Sequence, residues 1–239
     1  MMKKIALVML AFLVCSVALS NAGIFDNLLK GTGSSPSKGP DDNTVASGLK
    51  EALSIGTENA VKRGSQTDGY FGNKAIKILM PEKIQKVADV MKKVGYQKEV
   101  DGFVLSMNRA AEKAAPMAAS FFGDAIKQMT FDDARKILNG GDTAATEFFK
   151  AKTSEKIYGA FKPIVSSSMD EVGVTRSYKT MMTKYESVPF VDKQSLDLDH
   201  YVTNKALDGL FVMVGDEEKK IRKDPAARVT DLLKTVFNK

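Results

Sequence analysis

Gln97 to Met129 reads QKEVDGFVLSMNRAAEKAAPMAASFFGDAIKQM. Val100, Phe103, Val104, Met107, Ala111 and Ala114 recur three and four residues apart, and Ala118, Phe121, Phe122 and Ala125 continue the stripe. That spacing puts them on one face of a helix. Unbroken, the element would be about 50 Å long. Pro116 interrupts it, because proline removes a backbone donor and its ring clashes with the carbonyl one turn earlier. The expectation is a long helix kinked or broken just before Pro116.

The same period extends in both directions. Val45, Leu49, Ala52, Leu53 and Ala60 predict a helix from about Val45 to Lys62. After a glycine-rich loop and a short turn over Asn73 to Leu79, Pro81 stands as a first helical residue, and Ile84, Val87, Ala88, Met91 and Val94 form a stripe that stops at Gly95. Downstream, Thr130 with Asp133 has the spacing of a reciprocal cap, Gly140-Gly141 ends that short helix, and Asp142 is the expected cap of the next. Ile157, Phe161, Ile164 and Val165 make a further stripe containing Pro163, and Thr175 opens a helix that Val188-Pro189 ends. Two more helices carry Leu198, Val202, Ala206, Leu210 and Met213, then Val229, Leu232, Leu233 and Val236, the last opened by Asp224-Pro225. No segment alternates with period two for long enough to make a strand. The fold class is all-α, a single bundle-like domain over residues 44–239.

Ahead of that body, Met1 to Lys4 give a basic start, Ile5 to Leu19 an apolar run and Ser20-Asn21-Ala22 a small-residue exit. This is the pattern of a secretory signal peptide over residues 1–22, and the run is too short for a permanent transmembrane anchor. The expected location is the periplasm. Cys15, the only cysteine, falls inside the run, so the mature chain carries no thiol. Residues 23–43 form an expected flexible segment: Lys30 to Asn43 is KGTGSSPSKGPDDN, and Ile24-Phe25 with Leu28-Leu29 make a small apolar knot before it.

The formal net charge of +6 includes Lys3 and Lys4, and the remaining charges alternate in sign. With export, this speaks against nucleic acid as a partner. No metal or cofactor is called for. His200 is the only histidine, and Asp197 beside it reads as a helix cap; the methionines beyond residue 22 stand singly at core spacing, except Met181-Met182. Ser47-Gly-Leu-Lys50 has Ser-x-x-Lys spacing but lacks the partner motifs, and Ser35 to Lys38 repeats the match inside the linker. Asn108, Arg109 and Glu112 carry more weight, since they interrupt an Ala-rich helix at spacings that let them share a face. They form either a polar network fixing helix register or a ligand site.

The run Met107-Asn-Arg-Ala-Ala-Glu112, with Ala115-Pro116, Gln128-Met129-Thr130 and Gly140-Gly141-Asp142-Thr-Ala-Ala-Thr146, resembles one bacterial family. So do Tyr201-Val-Thr203, Lys205-Ala-Leu-Asp-Gly-Leu-Phe211, Glu217-Glu218, Ile221-Arg222 and Asp224-Pro-Ala-Ala-Arg228. The family is the set of exported bacterial proteins grouped as domain of unknown function 4197, and the resemblance covers about Leu49 to Phe237. It implies a single helical domain in a Gram-negative envelope and no known activity. The residues it singles out as site candidates are Asn108, Arg109, Glu112, Asp142, Asp208, Glu218, Arg222 and Arg228. Helix capping and interhelical pairing are their alternative roles.

The function expected from the sequence is non-enzymatic binding, in a groove between helices, of an apolar small molecule or lipid, or of an envelope protein. Two other readings stand beside it: a hydrolase or lyase using Glu112 with Arg109, and a scaffold presenting Phe25 and Leu28 to a partner.

Overall fold

The computed structural model describes residues 41–171, 174–187 and 197–237. The expected signal peptide, residues 23–40 of the linker, Val172, Val188-Pro189 and Asp192 lie outside them. The described residues belong to one compact unit.

Helix α1 spans Asp42–Ser65. It starts ahead of the expected Val45 because Asp41 caps it, accepting the Thr44 N–H at 2.6 Å. Asp42 and Asn43 are therefore helix, not linker. Past the loop at residues 66–80, Pro81 precedes a 3₁₀ turn, Glu82–Ile84, which runs into α2, Gln85–Lys93. This helix ends as its sequence predicts: Gly95 takes a left-handed φ of 95°, Tyr96 N–H reaches Met91 O at 2.9 Å, and Gly95 N–H reaches Lys92 O at 3.2 Å.

The opening stretch forms α3, Gln97–Ala114, a 3₁₀ turn at Ala115–Met117, and α4, Ala118–Lys127, so the break falls at Pro116. Helix α5, Phe131–Asn139, carries the expected reciprocal cap between Thr130 and Asp133. Helix α6, Ala144–Glu171, then runs unbroken through Pro163, joining two segments that the sequence left separate. The two prolines differ in what they orphan. The residue one turn before Pro163 is Gly159, exposed to water, whereas the residue one turn before Pro116 is the buried Glu112. Water replaces the lost bond in the first case; in the second the chain tightens to 3₁₀ bonding.

Helix α7 is Val174–Glu186, and α8, Leu198–Lys223, is capped by Asp197 through the His200 N–H at 2.9 Å. Asp224-Pro225 opens only a 3₁₀ turn, Pro225–Ala227, and not the last helix. Helix α9, Asp231–Phe237, begins after Thr230, whose hydroxyl accepts the Leu233 N–H at 3.2 Å. Arg228 turns the chain back between the two, donating to Ile221 O and Arg222 O at 3.0 and 2.8 Å.

Helix α8 is central and packs on α1, α3 and α6; α4, α5 and α9 also lean on α1, while α2 and α7 flank α3. The core at their junction is aromatic and methionine-rich. Phe122 meets Phe149 and Phe211 edge-on with ring centroids 5.2 and 6.1 Å apart, and Met107, Met169, Met181 and Met213 are buried. Each such side chain contributes about 1.5–3 kcal/mol by leaving water. Among the described residues there is no strand, and no helix is long and apolar enough to cross a membrane. The fold is all-α.

Candidate functional site

The α3 turn carrying Asn108, Arg109 and Glu112 faces the loop at residues 66–80. Asn108 is fully buried and serves Ile78 as a neighbouring strand would: its Oδ1 accepts the Ile78 N–H and its Nδ2 donates to Ile78 O, both at 2.8 Å, with a second donation to Val104 O. Glu112 is 5% exposed; one carboxylate oxygen accepts the Tyr70 and Phe71 N–H groups at 3.1 and 3.2 Å, and the other accepts from Arg109 Nη1 at 2.6 Å. Arg109 Nη2 reaches on to Asp68 at 2.7 Å. Asp68 itself holds a φ of 65°, a left-handed conformation that aspartate tolerates better than most residues.

Tyr70 completes this lock. Its ring is fully buried, its hydroxyl donates to Ala206 O at 2.6 Å, and a Cβ on Gly209 would lie 2.7 Å from its ring, so α8 must have glycine there. Burial first, and then the Glu112 charge, push the phenol well above its ordinary pKa. The Glu112 hydrogen bond likewise holds the Arg109 guanidinium more firmly protonated. Glu112 thus has both oxygens engaged and little contact with solvent. That arrangement suits an anchor for backbone amides.

Glu218 and Arg222 assemble elsewhere. Glu218 accepts the N–H groups of Ala145 and Thr146 at 2.9 Å each and the Thr146 hydroxyl at 2.8 Å, so a carboxylate from α8 caps α6. Asp142, the cap expected from the sequence, instead pairs with Lys223, which holds its carboxyl below the usual range. Arg222 donates to Glu218 at 2.8 and 3.0 Å and to Ile137 O, near the end of α5, at 2.7 Å. The sequence reading passed over Glu217, which is buried on the α1 side of α8 and accepts from Arg63 at 2.9 Å, Lys220 at 2.7 Å and Asn59 at 3.4 Å. Consecutive acids on a central helix point about 100° apart and meet two neighbours, a signal present in the pair Glu217-Glu218.

Asp208 joins neither cluster. It is exposed on the wall of a groove that the clamped loop makes with α8. Leu79 forms a ridge there, 60% exposed, with its carbonyl accepting from the Tyr201 hydroxyl at 3.1 Å. Burial, then the nearby Glu82 charge, raise the Tyr201 pKa. On one side of the ridge a hollow of about 630 Å³ is lined by Ile76, Tyr201, Asp208 and Val212, among others. On the other side a hollow of about 540 Å³ is lined by Phe71, Ala88, Val100 and Val104. Lys77, Leu79, Met80 and Gln85 border both. Both volumes fall within the range of small-molecule sites.

His200 lies apart from this groove, its Nδ1 2.8 Å from the Tyr158 hydroxyl and its ring against Asn204. Among the described residues no group of three or more His, Cys, Asp or Glu side chains is placed to hold a metal ion.

The family model described as a protein of unknown function, DUF4197, matches residues 39–238. The chain belongs to this family. Comparisons with curated proteins and with solved structures returned no match. Both polar clusters and both hollows of this DUF4197 chain lie inside the matched span, and its Asn-Arg-x-x-Glu turn is the device that fixes the groove's loop wall.

Proposed function

We propose that the protein is a non-enzymatic binding domain, exported to the periplasm of a Gram-negative cell by residues 1–22, that holds an apolar small molecule or lipid in the groove beside Leu79. The observation that carries this reading is Leu79 itself. A large apolar side chain stands in water while the backbone on either side of it is clamped by Asn108 and Tyr201. Leu79 does not stand alone: Val212, 43% exposed, lines the same hollow, so the exposed apolar surface is shared along the groove. Export rests on the pattern of Met1 to Ala22.

Native mass spectrometry of protein purified gently from the periplasm tests the reading, with Leu79→Asp as the comparison. The expected result is a bound species of added mass that is lost in the variant. Apo masses for both forms would overturn it, and an envelope protein crosslinked at the groove in place of a small molecule would replace the ligand with a protein partner.

A further inference from the structure

The groove's one shared cation narrows the ligand class, and this step rests on the binding reading above. Lys77 is half-buried and borders both hollows, and its Nζ sits 3.7 Å from the centroid of the Phe71 ring. It makes no ion pair with any described carboxylate. The buried charges elsewhere are provided for: Glu112, Glu217 and Glu218 each have an arginine partner, and Arg228 donates to two backbone carbonyls. Arg109 also approaches the Phe71 ring, at 5.8 Å, but its charge is already paired with Glu112 and Asp68. Lys77 therefore offers the groove its free N–H donors, in a place where partial removal of water makes an unpaired cation costly.

The surrounding charge sets the valence. Lys77, Lys83, Lys92 and Lys205 border the two hollows, against Glu82, Asp101 and Asp208. Asp101 is engaged by Gln97, with both oxygens 2.7 Å from its Nε2. One positive charge is left over, which suits a head group of a single negative charge and disfavours a polyanion. The walls beyond Lys77 are apolar: Phe71, Ala88, Val100 and Val104 on one side, and Ile76 and Val212 on the other.

We propose that the ligand is a single-chain amphiphile with a monoanionic head at Lys77 Nζ and its acyl chain along the apolar wall beside Leu79. A free fatty acid and a lysolipid with a phosphodiester head, each carrying one negative charge, share this chemistry.

Isothermal titration of the protein with decanoate, methyl decyl phosphate (a monoanionic phosphodiester) and decanol, all below micelle-forming concentrations, tests it. Both anions should bind about tenfold or more tightly than decanol, the size of one charge-assisted hydrogen bond. Lys77→Met should abolish the preference for the anions over decanol, and Lys77→Arg should keep it. Tighter binding of the phosphate than the carboxylate supports a lysolipid source, and the reverse supports a free fatty acid. Equal affinity for decanol and the anions, or anion binding unchanged in Lys77→Met, would overturn the head-group assignment and leave the groove reading standing. No binding of any of the three would take both down.

Discussion

Glu112 and Glu218 do the same chemistry in two places. Each is a buried carboxylate, 5% and 6% exposed, accepting two backbone N–H groups and an arginine. Glu218 accepts from the first turn of α6, so it joins two regular elements whose packed faces already bring them together. Glu112 accepts from an irregular loop that sends Tyr70, Ile76, Ile78 and Met80 into the core, so it fixes a backbone path that has no helix ladder of its own to hold it. One carboxylate closes the core. The other builds a surface.

The strongest way to break this distinction is to remove both anchors in turn. Glu218→Ala orphans the α6 amides and leaves Arg222 without its carboxylate, and should destabilise the whole domain by about 3–5 kcal/mol in chemical denaturation. Glu112→Ala should cost less, about 2–3 kcal/mol, because Arg109 keeps Asp68 and can turn to water. Its loss should be local: hydrogen exchange at Tyr70, Phe71 and Ile78 should accelerate while the α6 amides keep their protection. Equal and global effects from the two variants would erase the difference between core and surface.

Asn108→Ala sharpens the same contrast. Removing the two bonds to Ile78 should lower stability by about 1–3 kcal/mol and loosen the ridge, so that groove ligands bind more weakly while the midpoint changes little more than for Glu112→Ala. An unchanged ligand affinity would detach the clamp from the groove.

The smallest effect lies at the α5 cap. Thr130→Ala should cost about 1 kcal/mol. The Thr130 hydrogen bonds hold the Asp133 carboxyl below its ordinary pKa, so its contribution is complete above the unfolded value of about 3.9 and fades as pH falls through the lower folded one. The stability gap between wild type and Asp133→Asn should accordingly be constant near neutral pH and close on acidification. A gap that widens in acid would reverse the sign of the cap.

Much of the fold was legible because periodicity and caps are local. The Pro116 break, the Gly95 stop, the Thr130–Asp133 cap and the Asp197 cap all appear as the residues predict. What the sequence hid was tertiary. Nothing near Ala144 announces that its helix is capped from residue 218, and nothing near Pro163 says that Gly159 faces water. The site followed the same rule. Asn108, Arg109 and Glu112 do come together, as their spacing predicts, but Asp208 lies on a different surface from Glu218, Arg222 and Arg228. Lys77 and Leu79 drew no notice in the chain, because their meaning comes from Phe71, Tyr201 and Asn108 in space.

Tyr70 also carries a consequence in time. The slot that takes its ring exists only after α1 and α8 have come together, since Gly64 forms one side of it and Gly209 the other. The loop can therefore reach its final seat only once those two helices have met. The groove wall is thus seated by chemistry in α3, and a ligand that needs it in place adds its own binding energy to that seat.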